Sequence, residues 1–298
     1  MSLELLLPPE GVADLVTTWP DAPRVYERGR TEVDQVMSLD YVADLIDTGC
    51  APPDEIAVVK AGPSNRSAFL TNGRTDPIKL RRLVSQGHTV RFGNLQRWLP
   101  FFHRLSQGIQ WETGYSNYMS AFLTPGGEQG LLHHWDQQMG VIVQIAGAKT
   151  WQLWKPVISD PMREWGESFR VWRDDFIPRW EETGPDLTIE LTAGQTLLMP
   201  RGWVHNPHAL GHAEPSLHLT FAIRERTPLW VAERLIAQAI EQPEFRRVIL
   251  PADLEEPILV GRLAETRQTL MEFLGQLDMD ALARLVRRAA VTDLEYTT

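Results

Sequence analysis

Residues 134–149 read HWDQQMGVIVQIAGAK, and this short segment carries the strongest signal in the sequence. His134 and Asp136 are two positions apart, so on an extended strand both side chains project from the same face. An imidazole beside a carboxylate supplies two ligands of a 2-His-1-carboxylate iron site, which leaves positions free on Fe(II) for oxygen chemistry. Lys149 follows on the next expected strand, where a buried cation would need an anionic partner such as a cosubstrate.

The third ligand is expected on a later strand that returns beside the first. The segment 197–210, LLMPRGWVHNPHAL, offers His205 and His208. We prefer His205, because it directly follows the apolar run and would stand at the end of a strand, with Asn206 and Pro207 turning the chain away. His133 is adjacent to His134, so it should face away from Asp136, either behind the ligands or towards solvent.

The middle of the chain is rich in short β-branched and aromatic runs separated by turn residues. The predicted strands span 118–124, 140–145, 150–154, 187–192, 196–200 and 216–223. The second and third are joined by AGAK and predict a β-hairpin. Many short strands with tight turns favour a sandwich or a jelly-roll barrel, and therefore a mostly β fold with flanking helices.

Three regions are distinguished along the chain. Residues 1–115 predict a supporting mixture of helices and strands, and residues 116–224 predict the β core. Residues 225–298 predict a C-terminal helical subdomain, because segments 228–241, 259–275 and 279–290 show helical periodicity. Its apolar stripes would cover the barrel or pack against a second copy, and we favour a homodimer.

Composition narrows the class of protein. The 298 residues carry a formal net charge of −10, which argues against general nucleic-acid binding through phosphate neutralisation. A single cysteine, Cys50, excludes an intrachain disulfide. The N-terminus lacks the basic region of a signal peptide, and no apolar run is long enough to cross a bilayer. We therefore expect a cytoplasmic protein without a membrane partner.

Several of the 11 tryptophans lie between Trp151 and Trp180, where they would pack in the core or line a substrate groove.

The stretch 124–154, TPGGEQGLLHHWDQQMGVIVQIAGAKTWQLW, resembles the JmjC-type cupin oxygenases. It is most like the ribosomal oxygenase branch, which hydroxylates protein side chains, and it is also similar to the asparaginyl hydroxylase of hypoxia-inducible factor. The positions that match the family pattern are Thr124, Pro125, Gln129, Gly130, His134, Asp136, Gln144, Gly147, Lys149 and Trp151.

The resemblance implies a double-stranded β-helix and Fe(II)- and 2-oxoglutarate-dependent hydroxylation of a protein or peptide side chain, with release of succinate and CO2. His134, Asp136 and His205 would be the iron ligands. Lys149 would pair with the distal carboxylate of 2-oxoglutarate. Thr220 stands where the family often has a polar residue that touches the cosubstrate, although a β-branched residue also suits a strand.

The chain departs from the branch just before this stretch. Ser120 and Phe122 stand where Asn and Tyr often lie near the cosubstrate. Ser120 can still donate a hydrogen bond, whereas Phe122 cannot, and Tyr118 or Asn117 would have to compensate.

Two other classes of function stay open at this point. A cupin isomerase or direct dioxygenase would not use 2-oxoglutarate, but such enzymes commonly use three His and a Glu and give Lys149 no role. A non-catalytic metal-binding cupin would form no succinate even with metal bound. Within the oxygenase class we favour hydroxylation over methyl-lysine demethylation, since nothing in the sequence suggests a chromatin-reading module.

Overall fold

The structure, a computed structural model, describes residues 1–60, 68–162 and 171–292. The chain divides into two compact units, residues 1–224 and 225–298. Residues 1–115 and 116–224, which the sequence analysis distinguishes, both lie in the first unit. Residues 163–170 of the Trp-rich segment and 293–298 of the C-terminal region lie outside the described residues.

Antiparallel strands make up the centre of the first unit, and helices flank them. The strands are β1 Arg24–Glu27, β2 Ile56–Val59, β3 Leu70–Thr71, β4 Arg74–Thr75, β5 Thr89–Phe92, β6 Asn117–Thr124, β7 Met139–Ala146, β8 Ala148–Trp154, β9 Leu187–Thr192, β10 Gln195–Met199, β11 Val204–His208 and β12 Ser216–Ile223. The helices are α1 Pro9–Ala13, α2 Glu32–Val36, α3 Leu39–Thr48, α4 Pro77–Ser85, α5 Leu95–Trp98, α6 Pro100–Thr113 and α7 Phe176–Thr183. The prediction of a mostly β fold with flanking helices is confirmed.

Two sheets form the jelly-roll core. The larger has seven strands in the order β1-β10-β7-β12-β6-β5-β2, and the smaller has three in the order β11-β8-β9. All of their strand pairs are antiparallel. The N-terminal region contributes three strands, β1, β2 and β5, to the larger sheet, so it extends the core as well as supporting it.

The alternation of side chains along β12 explains how one strand serves two purposes. Leu217, Leu219 and Phe221 belong to the main hydrophobic core together with residues of α3, α4 and α6. His218 and Thr220 project from the opposite face and line a cavity. Because successive side chains of a strand point to opposite faces, the sequence SLHLTFAI places an apolar row under the helices and a second row in the cavity.

The hairpin between β7 and β8 fixes the position of the strand that carries Lys149. Gly147 in its turn has a φ of +63°, and a Cβ there would overlap the carbonyl oxygen of Pro215. Gln144 is fully buried and donates to the carbonyl of Ala146 at 2.8 Å and to Ser216 Oγ at 2.9 Å. These contacts tie the start of β8 to β12.

One element differs from its prediction. His205 does not end a strand: it is the second residue of β11, which continues through Asn206 and Pro207. The expectation that these two residues turn the chain away is therefore wrong. A proline is compatible with this strand because β11 lies at the edge of the three-stranded sheet, where a missing N–H costs no ladder hydrogen bond.

Most of the described tryptophans between Trp151 and Trp180 pack in hydrophobic clusters. Trp154 and Trp180 form one buried cluster with Trp135, Phe176 and Val204. Trp151 belongs to a second cluster between the sheets and also lines the cavity. Both readings of these residues are therefore represented in the structure.

The second unit is helical. Its helices are α8 Pro228–Ala237, α9 Glu256–Gly275 and α10 Met279–Thr292. The predicted segment 228–241 is α8 followed by a 3-10 turn, Gln238–Glu241. In the part of the chain that the structure describes, no helix has both the length and the apolar character needed to cross a membrane.

Candidate metal centre

Backbone pairing brings together the three side chains predicted to bind metal. His134 and His205 form an isolated antiparallel bridge, in which His134 N donates to the His205 carbonyl at 3.1 Å and His205 N donates back at 2.8 Å. Residues that face each other in this way project side by side. Asp136 is held nearby because its carbonyl accepts from Gly202 N at 2.8 Å.

The ligand atoms of His134, Asp136 and His205 all lie within 4.8 Å of one another. The imidazole ring centroids are 4.1 Å apart, and His205 Nε2 lies 3.8 Å from Asp136 Oδ2. His205 is buried, whereas the side chain of Asp136 is 49% exposed. The cluster is therefore open on the carboxylate side.

Both imidazoles are oriented by the same type of contact. His134 Nδ1 donates to the carbonyl of Leu132 at 2.6 Å, and His205 Nδ1 donates to the carbonyl of Trp203 at 2.9 Å. A carbonyl oxygen only accepts, so each Nδ1 carries a proton, and Nε2 is the ring atom left to face a metal ion. Hydrogen bonds of this kind fix the tautomer and the ring orientation of metal-binding histidines.

Burial favours the neutral form of the deeper histidine. Burial, and after it the neighbouring His134, lower the pKa of His205 to about 4, while Asp136 and the hydrogen bond to Trp203 act in the opposite direction. A neutral imidazole is the form that binds a metal ion. The donor set of two imidazoles and one carboxylate therefore fits the Fe(II) site expected from the sequence.

The two competing histidines lie elsewhere. His208 is the last residue of β11, forms an isolated bridge with Gln129, and is not among the residues that line the cavity. His133 is buried against Trp154 and Trp180, at ring distances of 4.8 and 5.8 Å. It faces the tryptophan cluster, as expected for a neighbour of His134, and is not exposed to solvent.

A cavity of about 170 Å³ lies between the two sheets and includes all three candidate ligands. Its other lining residues come from β2, β5, β6, β7, β8, β11 and β12 and from residues 130 and 131: Val59, Thr89, Arg91, Tyr118, Ser120, Phe122, Gly130, Leu131, Ile142, Lys149, Trp151, Pro207, His218, Thr220 and Ala222. The metal cluster and the predicted cosubstrate residues therefore share one space.

Lys149 is a buried cation in the wall of this cavity. Its side chain donates to Thr124 Oγ1 at 2.9 Å, and Thr124 in turn accepts from Thr89 Oγ1 at 3.0 Å. Residue 149 is 3% exposed, and burial lowers the pKa of its amine from 10.5 to about 7. Among the described residues no carboxylate forms an ion pair with it, so this part of the chain provides no counterion for its charge.

Ser120 and Thr220 face each other on adjacent strands of the cavity wall, since they are register partners between β6 and β12. Phe122, one step further along β6, is the register partner of His218. Tyr118 also lines the cavity, and its hydroxyl donates to Gln138 Oε1 at 3.2 Å.

His218 is a cavity residue that the sequence analysis missed. The signal available was a histidine at an inward position of the alternating run SLHLTFAI. Thr89 was missed as well, because its contact with Thr124 depends on the pairing of β5 with β6.

Comparison with known proteins supports this description. Residues 94–229 match the family model of the JmjC domain. A bifunctional lysine-specific demethylase and histidyl-hydroxylase NO66 from Culex quinquefasciatus is 28% identical over 64% of this chain and 29% of its own length. Ribosomal oxygenase 1 from Danio rerio is 28% identical over 52% of this chain and 27% of its own length. Ribosomal oxygenase 2 from Bos taurus is 25% identical over 68% of this chain and 43% of its own length. The chain thus spans less than half the length of these relatives.

The fold is shared with solved structures. YcfD, a ribosomal oxygenase from Escherichia coli solved with cobalt and 2-oxoglutarate, aligns with a TM-score of 0.55 at 15% identity, over 98% of this chain and 73% of that one. The same protein with cobalt and succinic acid aligns with a TM-score of 0.56 at 13% identity, with the same coverage.

Proposed function

We propose that the chain, whose residues 94–229 match the family model of the JmjC domain, is an Fe(II)- and 2-oxoglutarate-dependent oxygenase that hydroxylates a side chain of a protein or peptide. One observation carries the proposal: an open His-Asp-His cluster and a buried lysine without a counterion line the same cavity. Succinate and CO2 would be the products of the cosubstrate.

His134, Asp136 and His205 would hold the metal through their Nε2 and carboxylate atoms. Bound Fe(II) supplies the redox chemistry with O2 and 2-oxoglutarate that oxidises a C–H bond. The chain's own contribution is positional. The bridge between the two histidines fixes the spacing of the imidazoles, and the half-exposed Asp136 leaves one side of the cluster open to a substrate.

Lys149 would bind the distal carboxylate of 2-oxoglutarate. A charged amine at this depth is unfavourable unless an anion accompanies it, and among the described residues the hydrogen-bond partner of Lys149 is the neutral hydroxyl of Thr124. Ser120 and Thr220 would add neutral hydrogen-bond donors on the wall formed by β6 and β12. An ion pair in this enclosed space would discriminate strongly against 2-oxo acids that lack the second carboxylate.

A protein or peptide substrate is supported by two features. Leu131 and Leu132 shortly precede His134 in the sequence. They are 36% and 41% exposed, so they provide apolar surface beside the cavity. The curated relatives are named ribosomal oxygenases and a histidyl-hydroxylase. A side chain that enters past these leucines would reach the open side of the cluster.

The test is cosubstrate turnover by the full chain. Protein loaded with Fe(II) under anaerobic conditions is exposed to O2 and 2-oxoglutarate, with and without peptides from ribosomal proteins, and succinate and the peptide mass are followed. Succinate formation is expected, with an increase of one oxygen atom in an accepted peptide. His134→Ala and Asp136→Ala should abolish both signals, whereas His208→Ala should retain them. Absence of succinate from metal-loaded protein would favour a non-catalytic or 2-oxoglutarate-independent cupin.

We also propose that the chain forms a cytoplasmic homodimer through its C-terminal helices. In α9 no residue is buried, and Val260, Leu263 and Met271 are each more than 60% exposed at helical spacing. Light scattering after size exclusion would measure the mass. Leu263→Glu should shift it towards the monomer, and the exposed polar control Gln268→Glu should not.

A further inference from the structure

His218 occupies the cavity in a way that the proposed function does not yet use. Its side chain is 3% exposed and projects from β12 among the residues that line the cavity. Phe122 stacks on one face of the imidazole, with the ring centroids 4.8 Å apart and the planes 6° from parallel. Trp151 meets the ring edge to face at 5.5 Å and 74°. The aromatic contacts therefore hold the imidazole in one orientation.

One polar atom of this ring has no hydrogen-bond partner among the described residues. His218 Nδ1 is buried without a hydrogen-bond partner in the described part of the chain. Leaving a buried polar atom unpaired costs about 1–3 kcal/mol, so such atoms usually have a partner that completes them. His218 also lines the cavity, so its ring is within reach of a ligand bound there.

The neighbouring charge indicates which ligand would fit. Burial lowers the pKa of His218 well below 6.5, and the charges of Lys149 and then His205 lower it further. The imidazole is therefore neutral, with one N–H to donate. Lys149 offers an ammonium without a counterion on the facing sheet. A carboxylate between these two groups would accept from both and would satisfy the lysine charge and the imidazole together.

Phe122 lies beside His218 but cannot itself bind a carboxylate through its side chain. It stands beside His218 in the sheet register and has no atom that can hydrogen-bond. Its contribution is the flat surface on which the imidazole rests. Of this pair of residues in the cavity wall, the side chain that can donate a hydrogen bond is therefore His218 on β12, and not Phe122 on β6.

We propose that His218 is a cosubstrate-binding residue whose imidazole N–H, together with Lys149, donates a hydrogen bond to the distal carboxylate of 2-oxoglutarate. This inference rests on the proposed function for the identity of the dicarboxylate. It assigns to His218 the contact that Phe122 cannot make.

The experiment compares two 2-oxo acids on protein loaded with Mn(II), which binds without turnover. Isothermal titration gives the Kd of 2-oxoglutarate and of 2-oxobutyrate, which lacks the distal carboxylate. His218→Phe keeps an aromatic ring against Phe122 and Trp151 but removes the donor. The variant should bind 2-oxoglutarate about 10- to 100-fold more weakly, the value of one hydrogen bond to a charged group, and should bind 2-oxobutyrate as the unmodified protein does.

His133→Phe is the matched control. His133 is also buried against aromatic rings and has an unpaired Nδ1, but it is outside the cavity lining. It should leave the affinity for both acids unchanged. A second measurement does not depend on a variant: in Zn(II)-loaded protein labelled with 15N-histidine, the ring N–H of His218 should become hydrogen-bonded with 2-oxoglutarate and not with 2-oxobutyrate.

The outcomes separate the alternatives. Equal weakening of both acids by His218→Phe would overturn the proposal and make His218 a structural part of the wall. An unchanged affinity for 2-oxoglutarate, or a ring N–H that does not respond to it, would also overturn the proposal. If the unmodified, metal-loaded protein bound 2-oxobutyrate as tightly as 2-oxoglutarate, the proposed function would fail together with the role of His218.

Discussion

His134 and His205 are far apart in the sequence, yet they exchange two backbone hydrogen bonds, at 3.1 and 2.8 Å, and their rings lie 4.1 Å apart. The spacing of the two imidazoles is therefore set by main-chain pairing. Each ring is then turned by its own Nδ1 contact to a carbonyl two residues earlier. The arrangement is preorganised, so little ordering is required when a metal ion binds.

The first prediction concerns the choice between the two histidines of β11. His205→Ala should weaken Co(II) binding by at least about 100-fold, because it removes a ligand. Loss of a residue that only orients a ligand already lowers metal affinity by about 10- to 100-fold. His208→Ala is the control, since His208 lies outside the cavity lining. Titration of the metal-free protein with Co(II), followed by visible absorption, measures both. Comparable loss in the two variants would contradict the assignment.

Local spacing accounts for what the sequence could predict about this centre. His134 and Asp136 are two residues apart, which on a strand would place them on one face, but in the structure they precede β7 and His134 forms an isolated bridge with His205. The cluster forms all the same, because that bridge and the contact of Asp136 with Gly202 hold the segment beside β11. His205 lies with His134 and Asp136 in the structure, but the reason given for preferring it, a position at the end of a strand, is wrong. The sequence VHNPH does not have the composition of a strand, and only the edge position of β11 makes it compatible with one.

The cavity wall was harder to predict because it depends on which strands become neighbours. Ser120 and Thr220 are register partners, and so are Phe122 and His218, but nothing local in the sequence specifies these pairs. A histidine in an apolar strand is usually read as a packed core residue. A role for His218 in ligand binding becomes apparent only when the structure shows Lys149 on the facing sheet.

The second prediction concerns the hairpin that carries Lys149. Gly147→Ala should destabilise the protein by about 2 kcal/mol or more, because it combines a left-handed backbone with overlap of the Pro215 carbonyl oxygen. The control is Gly73→Ala, where φ is +75° and a Cβ would meet nothing within 4 Å, so only about 1 kcal/mol is expected. Urea unfolding curves give both values. Equal costs would show that the close approach to Pro215 is unimportant.

The third prediction separates binding from stability at Lys149. Burial disfavours the ammonium in the folded protein, and its pKa falls from 10.5 to about 7. The resulting destabilisation is fully present below pH 7 and disappears as the pH rises towards the unfolded value. Lys149→Met should therefore raise the free energy of unfolding by on the order of 1–3 kcal/mol below pH 7, and by less at high pH.

The same variant should lose high-affinity binding of 2-oxoglutarate to the Mn(II)-loaded protein. Chemical unfolding at several pH values and isothermal titration measure the two effects. Thr124→Val is a useful comparison, because it removes the hydroxyl partner of Lys149 and keeps the charge. If Lys149→Met were less stable than the unmodified protein below pH 7, the lysine would be a structural residue and not one retained for binding.

The fourth prediction is the pH dependence of cosubstrate binding. In the free protein Lys149 loses its proton as the pH rises through about 7. A bound carboxylate favours the ammonium and raises the pKa again, so binding above that pH takes up about one proton. The affinity for 2-oxoglutarate should be highest at or below about pH 7 and should fall by up to about tenfold per pH unit above it. Isothermal titration of metal-saturated protein in buffers of different ionisation enthalpy measures both the affinity and the proton uptake.

Lys149→Arg is the control for this behaviour, because a guanidinium remains charged throughout the range. Its affinity for 2-oxoglutarate will differ from that of the unmodified protein, but it should vary little with pH, and its binding should take up no proton at position 149. Because Lys149 has no carboxylate partner among the described residues, the ligand itself must supply the charge that restores its pKa. A pH slope that persisted unchanged in the arginine variant would place the titrating group elsewhere in the cavity.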